Sequence, residues 1–542
     1  MPLDRSFVSV SVIALWLALG GGLLWAASWP PVSRTQEARV LETAREMAER
    51  PITQWAIPTL NGAVRLRKPP LAYWMSAASF RVLGVSDFAG RLPMVLLSWA
   101  TLGMTFVIGR RLFDARTGLF AAAVLAGTWL FFRFGLLAET DGPSAAFLTA
   151  GVYTFLRATA ARRGRDGVWH HLTAACLAAI ILSKGPPAVF LVLFAIGLCA
   201  ARRQWQPLAR FVTSGAVVTL LALATPWFIY VARQTTDEGQ LGVDFANSAE
   251  GGDHSGPPWA YVPMLLQATL PWTGLWIVGL LAAAGPMRRD IAAWRGKSIS
   301  APVPGLWTIA LWAAVILVPL VCWGNKQKHY LMPVMPPTAI LIGWVAAEAS
   351  RGREKAARVT SAVMLSVFAL SGPAVLIAAA KLRPQMQAAD VVLACVLIAT
   401  AAATAFVWRR SGYASAFGPL AALALGTMFT LNAWLPPIIG GKSRNAALEL
   451  MAAYPDARFV FRSTELPTVS WTMRREVPSV TEDEIAARSA DPSTVVLDQQ
   501  QEHETLPTVP AGYARVREID QNGNVLHVYV PEASPWRMTA AD

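Results

Sequence analysis

The sequence predicts a mainly α, polytopic membrane protein of about thirteen transmembrane helices, followed by a small C-terminal α/β soluble domain. Three observations carry that expectation. Of the 542 residues, 54% are hydrophobic and 15% are charged, where a soluble chain carries about 25% charge. Apolar runs recur through residues 1–440, each near the ~20 residues that cross about 30 Å of hydrocarbon at about 1.5 Å per residue. From 441 the runs shorten and alternate polar with apolar, the period of half-buried strands. The formal charge of +13 is gathered in short clusters between apolar runs, a pattern of cytoplasmic loops, so no nucleic-acid partner is expected. Cys176, Cys199, Cys322 and Cys395 all fall in apolar runs without a CxxC pair, and predict neither a disulfide framework nor a metal knuckle.

The first run, MPLDRSFVSVSVIALWLALGGGLLWAASW, has the basic start and small-residue end of a signal peptide, but its length and the spans after it predict a retained first helix. Spans are predicted at 9–28, 88–108, 116–133, 143–160, 169–183, 186–201, 208–230, 261–285, 304–323, 330–349, 359–380, 388–407 and 413–435. The runs 169–183 and 186–201 are short and parted by SKGPP, so they read as a broken pair or as one interrupted span. Charge alternation bears on that choice. With the N-terminus inside, one side receives Arg110, Arg111 and Arg116, then Arg157, Arg162, Arg163 and Arg165, then Arg202, Arg203 and Arg210. The series continues through Arg288, Arg289, Arg295 and Lys297, then Arg351, Arg353, Lys355 and Arg358, to Arg409 and Arg410. The other side holds scattered cations and the acidic Glu139, Asp141, Asp237, Glu238 and Asp253. The positive-inside rule therefore predicts two crossings over 169–201 and places the C-terminal domain outside.

Two outside segments are long. The first, 29–87, opens with TQEARVLETAREMAER, whose Val40, Leu41, Ala44 and Met47 form one apolar helix side ended by Pro51. Asn61-Gly62 then marks a turn, and Leu71 onward reads as a second amphipathic helix with Tyr73 and Trp74 suited to the interface. The second, 231–260, is rich in glycine and polar residues, as a movable loop over a cavity would be. The domain expectation is thus a membrane domain over 1–440, with outside loops at 29–87 and 231–260, and an external soluble domain over 441–542. In the latter, Ser443 is expected to cap a helix to Tyr454, and strands are expected at 458–462, 494–498, 514–519 and 525–530.

Ionisable residues collect beside helix ends at the predicted outer face: Glu37, Arg39, Arg45, Arg67, Lys68, Glu139, Asp141, Lys184, Asp253, His254, Lys326, Lys328, His329 and Tyr330. Cations at headgroup level suit a phosphate or diphosphate, and carboxylates beside them suit a base for an acceptor hydroxyl or a ligand for a divalent cation. The bland alternatives are snorkelling lysines and a helix cap at Asp141. Prolines and glycines in KPP, SKGPP and NKQKHY's surroundings favour shaped backbone at membrane depth.

Over most of residues 30–340 the sequence resembles the bacterial polyprenyl-phosphate-dependent glycosyltransferases of GT-C type, which include lipid A aminoarabinose transferases and relatives of the protein mannosyltransferases. The resemblance is carried by EARVLETAREM at 37–47, NGAVRLRKPPLAYW at 61–74, GRLP at 90–93, ETDGPSAAF at 139–147, LSKGP at 182–186, HSGPPWAYVP at 254–263, LPWT at 270–273 and KQKHYLMPVMPP at 326–337. It implies a multi-pass protein of the bacterial inner membrane that works as a monomer. It further implies sugar transfer from a polyprenyl-phosphate donor, among membrane lipids, to a lipid, glycan or protein acceptor of the cell envelope. In the family an acidic pair of the first loop holds the base; here those positions are Gln36 and Glu37, and an amide accepts no proton at working pH. Glu37 and Asp141 are accordingly the catalytic candidates. Arg45, Lys68, Lys184, Lys326 and Tyr330 are the donor-phosphate candidates, and Glu139, His254 and His329 belong to the acceptor or loop site. The family's Glu beside the lysine is Arg67 here, so metal dependence stays open, with a divalent cation as the one candidate cofactor and His254 as its one candidate ligand. A transporter or flippase of an amphiphilic lipid-linked substrate, and a catalytically degenerate lipid-sugar-binding protein, remain alternative readings.

Overall fold

The computed structural model describes residues 5–160, 167–234, 255–295, 304–352, 355–382, 388–439, 442–462, 465–501, 504–521 and 524–540. They pack into two compact units: the first comprises residues up to Ala26, Arg67–Leu71 and Met94–Asn432, the second Ala27–Leu66, Ala72–Pro93 and Ala433 onward.

The first unit is helical. Five described helices are long and apolar enough to cross a membrane: Asp87–Leu112, Ala216–Gln234, Gly305–Cys322, Lys328–Ser350 and Lys355–Ala374. Two bent pairs raise that number to at most seven. Lys328–Ser350 is the hub, with 89% of its apolar window buried, whereas Ala216–Gln234 buries only 22% and presents Val218, Leu221 and Ile229 outward. An apolar face of that kind requires lipid rather than water around it. The hub packs on Ala115–Ala126 through Gly343, where a Cβ would lie 2.6 Å from the Ala121 nitrogen. Only glycine admits so close a crossing.

Several expected spans are divided. The run 116–133 forms Ala115–Ala126 and Trp129–Gly135, bent by 64° after the Gly127 cap, and 261–285 breaks between Pro258–Ala268 and Thr273–Arg289 by 114°. Pro271, which has no N–H to continue the ladder, lies at the second break. The run 208–230 splits into Gln206–Thr213 and Ala216–Gln234 at Gly215, and 330–349 opens as a 3-10 turn, Lys328–Val334, before Met335–Ser350. Residues 169–183 and 186–201 form two helices, Gly167–Ser183 and Ala188–Arg202.

The second unit joins residues 27–66 and 72–93 to the C-terminal residues. Helix Thr35–Glu49 is followed by a hairpin of β1 (Thr59–Leu60) and β2 (Ala63–Val64), turned by Asn61 and Gly62 at φ 53 and 80°. The C-terminal part forms a four-stranded sheet from β3 (Arg458–Phe461), β4 (Thr494–Gln500), β5 (Tyr513–Gln521) and β6 (Asn524–Pro531), in the order β3-β4-β6-β5, with only β3 and β4 parallel. Strand alternation sends Val495 and Leu497 to a core shared with Leu450, Val469 and Met473, and Val496 to the opposite core with Ile485 and Tyr529. Ser443 lies inside helix Lys442–Ala453 instead of capping it, because the helix begins one residue earlier. Tyr73, expected at the interface, is buried. Trp471 stacks on Phe80 and donates its indole N–H to Asp87 at 3.0 Å, and the Arg474 guanidinium reaches the same carboxylate at 2.8 Å. Residues 27–66 and 72–93 and the C-terminal residues therefore share one packed unit.

Candidate functional site

In the first unit, ETDGPSAAF turns into helix Asp141–Ala160, with Asp141 in the first turn and Pro143 close behind, both favoured at a helix start. LSKGP ends helix Gly167–Ser183. Gly185 adopts φ +84°, and its N–H, like that of Lys184, donates to the Ile180 carbonyl. This left-handed closure, which suits glycine, aims Lys184 across to Asp141. The Lys184 ammonium donates to Asp141 Oδ1 at 2.5 Å and stands 4.1 Å from the centre of the Tyr330 ring. His329 Nε2 lies 3.9 Å from Asp141 Oδ2, and its ring is in contact with those of Tyr330 and Phe134. Lys68 adds its positive charge to the field at Asp141.

These groups surround a cavity of about 380 Å³ lined by Arg67, Lys68, Asp141, Ser144, Lys184 and Tyr330 on its polar side. The rest of its lining is largely apolar and includes Val189, Phe190, Phe228, Pro319, Leu320 and Trp323. One carboxylate thus faces several cations beside an apolar slot. That arrangement suits an anionic head on a hydrocarbon tail, and electrostatic attraction is strengthened by the low-polarity wall.

Other expected site residues sit elsewhere. Lys326 turns its ammonium onto the Leu320 and Val321 carbonyls, at 3.0 and 2.9 Å, and onto the Trp323 carbonyl, closing the C-terminal end of helix Gly305–Cys322. Carbonyls of a last helical turn keep accepting capacity and carry partial negative charge, which is why a buried cation is tolerated there. Arg45, in the second unit, is held by Glu42 at 2.6 and 3.0 Å and by Glu49 at 2.6 Å. Glu37, in the same helix, receives both Nε and Nη2 of Arg91 at 2.7 and 2.9 Å, and Arg91 also donates to the Ala27 and Pro30 carbonyls. Both side chains of that pair are 1% exposed, while Gln36 beside Glu37 is exposed. Glu139 is buried in the turn before Asp141. His254 lies outside the described residues, as does most of the loop 231–260.

Among the described residues no group of three or more His, Cys, Asp or Glu side chains is placed to hold a metal ion. The partners of Asp141 are the Lys184 ammonium and the His329 ring, and a lone carboxylate already held by an ammonium is a donor set that does not fit a divalent cation. Two residues of consequence escaped the sequence reading. Ser144 sits three residues after Asp141 and so on the same helix face, a spacing that could have found it; Arg91 lies in GRLP, and only its burial identifies it as the partner of Glu37.

Residues 67–230 match the family model described as dolichyl-phosphate-mannose-protein mannosyltransferase. Undecaprenyl phosphate-alpha-4-amino-4-deoxy-L-arabinose arabinosyl transferase 1 of Sodalis glossinidius (strain morsitans) is 29% identical over 364 residues, covering 65% of this chain and 59% of its own. The corresponding transferase of Pseudomonas aeruginosa (strain UCBPP-PA14) is 30% identical over 308 residues, covering 53% of this chain and 51% of its own. This chain therefore spans about three fifths of the length of the first of these relatives and about half of the second. Among solved structures, ArnT from Cupriavidus metallidurans bound to undecaprenyl phosphate superimposes with a TM-score of 0.77 at 16% identity, covering 98% of this chain and 99% of that one. In fold, and in sequence over the matched segments, the chain resembles the polyprenyl-phosphate glycosyltransferases of GT-C type, and among them the aminoarabinose transferases.

Proposed function

We propose that this chain transfers a sugar from a polyprenyl-phosphate donor to a lipid acceptor at the outer face of the cytoplasmic membrane. The observation that carries the reading is the cavity of the first unit, whose lining joins Lys184, Lys68, Tyr330 and the Asp141 carboxylate to apolar side chains. The names of the curated relatives favour an undecaprenyl phosphate donor carrying a pentose. In the reaction the acceptor hydroxyl attacks the anomeric carbon, the bond from that carbon to the phosphate oxygen breaks, and the phosphate leaves with the electron pair. Direct displacement inverts the anomeric centre. Lys184 and Lys68 oppose the charge growing on the departing phosphate, which lowers the barrier without an acid. Tyr330 offers its hydroxyl to the same oxygens. The acceptor proton passes to a carboxylate, and the geometry favours Asp141, because both oxygens of Glu37 already accept from Arg91. His329 holds Asp141 on its far side.

The orientation belongs to the same proposal: N-terminus inside, residues 441–542 outside, and the site at the outer leaflet. Purified protein supplied with undecaprenyl-phosphate aminoarabinose and lipid A is expected to consume the donor and give a glycosylated lipid detectable by mass spectrometry. Asp141→Asn is expected to fold normally and form no product. Neither donor consumption nor product with wild-type protein, across a panel of polyprenyl-phosphate sugars and envelope acceptors, would overturn the reading.

A further inference from the structure

Ser144 has no role in the account so far. It lies in the first turn of helix Asp141–Ala160, three residues after Asp141, and lines the same cavity as Lys68, Lys184 and Tyr330. Its side chain is 1% exposed, and its Oγ has no hydrogen-bond partner among the described residues. Thr149, in the same helix, donates back to the Ala145 carbonyl at 2.8 Å, and Ser183 donates back to Ala179 at 2.6 Å. Thr43, Thr117 and Ser470 are likewise buried without a side-chain partner, but among these described hydroxyls Ser144 alone lines the cavity. A buried hydroxyl without a partner costs about 1–3 kcal/mol of stability, so a fold gains nothing by keeping one.

We propose that the Ser144 hydroxyl donates a hydrogen bond to a phosphate oxygen of the lipid donor. The inference rests on the cavity's being the site of a lipid-linked phosphate. Lys184 donates to Asp141, and Ser144, on the helix that carries Asp141, adds a neutral donor to the lining of the same cavity. A neutral donor fixes the orientation of the phosphate without adding to the attraction between the lysine and Asp141.

The test measures binding of undecaprenyl phosphate and of undecaprenol to the full chain in nanodiscs, together with thermal stability without ligand. Wild-type protein is expected to prefer the phosphate. Ser144→Ala is expected to lose about tenfold of that preference, equivalent to ~1.4 kcal/mol, because a bond to a charged group disappears. Its melting temperature without ligand should stay the same or rise, since an unpaired hydroxyl is removed and alanine favours a helix. A structural role for Ser144 moves that temperature the other way. Ser144→Cys, nearly the same size but a weak donor, is expected to behave like alanine and guards against a packing artefact. Wild-type preference for the phosphate kept intact in both variants overturns the Ser144 assignment alone. Absence of preference in the wild-type protein overturns the reading of the cavity itself.

Discussion

At the scale of single residues, charge partners decide which ionisable groups are available for chemistry. Glu37 and Arg91 form a two-pronged pair out of contact with water, and removing one partner of such a pair costs about 3–5 kcal/mol because the other is left charged and buried. Glu37→Gln is therefore expected to lower the melting temperature sharply, and Glu37→Gln with Arg91→Met to recover much of it. A catalytic base would instead give a single variant that melts normally and is inert. Lys184→Met leaves the buried Asp141 without its ammonium partner, so a lower melting temperature is expected together with a loss of turnover of about 10²- to 10³-fold, the loss expected from one preorganised donor to developing charge; turnover of the folded variant within twofold of wild type would remove Lys184 from the chemistry. Glu46 supplies a pH dependence. Its carboxylate accepts from Thr59 Oγ1 and from the Asn61 N–H, yet burial, aided by the charges of Glu42 and Glu476, pushes it up to about 7 from 4.5. A raised folded value means that its stabilising contribution is complete below pH 4.5 and is lost as pH rises through about 7. Hydrogen exchange at residues 59–64, corrected for intrinsic rate, should speed up across that window in the wild type and change little in Glu46→Gln. Equal slopes in the two proteins would rule out Glu46 as the source.

At the scale of elements, periodicity located most helices, and it missed their breaks because an interrupted apolar run has the same composition as a straight one. The run 261–285 is one hydrophobic segment by count, but Pro271 and its neighbours bend it by 114°. The functional elements are ends of this kind. SKGPP was legible as a break, since glycine and two prolines seldom continue a helix, and Gly185 at φ +84° is what turns Lys184 toward Asp141. Gly185→Ala is expected to cost about 1–2 kcal/mol of stability through backbone strain and to weaken donor binding more than Gly215→Ala, which strains a similar turn outside the cavity lining. Identical binding by the two variants would show that the turn does not position Lys184. Lys326 illustrates the opposite case. Its sequence context marked it as a cation beside a helix end, but only coordinates reveal that its ammonium faces three backbone carbonyls.

At the scale of the whole molecule, hydrophobic run lengths made the membrane-spanning character and the β-strand positions near the C-terminus legible, because both follow from local periods. Pairings distant in sequence were not legible, since nothing local in 29–93 announces a partner some 380 residues away. Asp87 accepts from the Trp471 indole and the Arg474 guanidinium, the Arg474 guanidinium also covers the Trp471 ring at 3.5 Å, and the Val477 N–H donates to Asn61 Oδ1 at 3.3 Å. Trp471 is 1% exposed, so residues 467–477 are core to the first outer segment as much as to their own sheet. Truncating a buried tryptophan to alanine costs about 3–5 kcal/mol, and a local opening energy lowered by that amount raises the open population at least about a hundredfold. A chain ended after Ile439 removes this packing altogether while leaving the helices of the first unit intact. Trypsin is then expected to cut at Arg39 or Arg45 at least tenfold faster than in the full chain in nanodiscs, with Trp471→Ala in between. Cleavage at the same rate in all three proteins would mean that the outer segment holds its fold without the C-terminal residues.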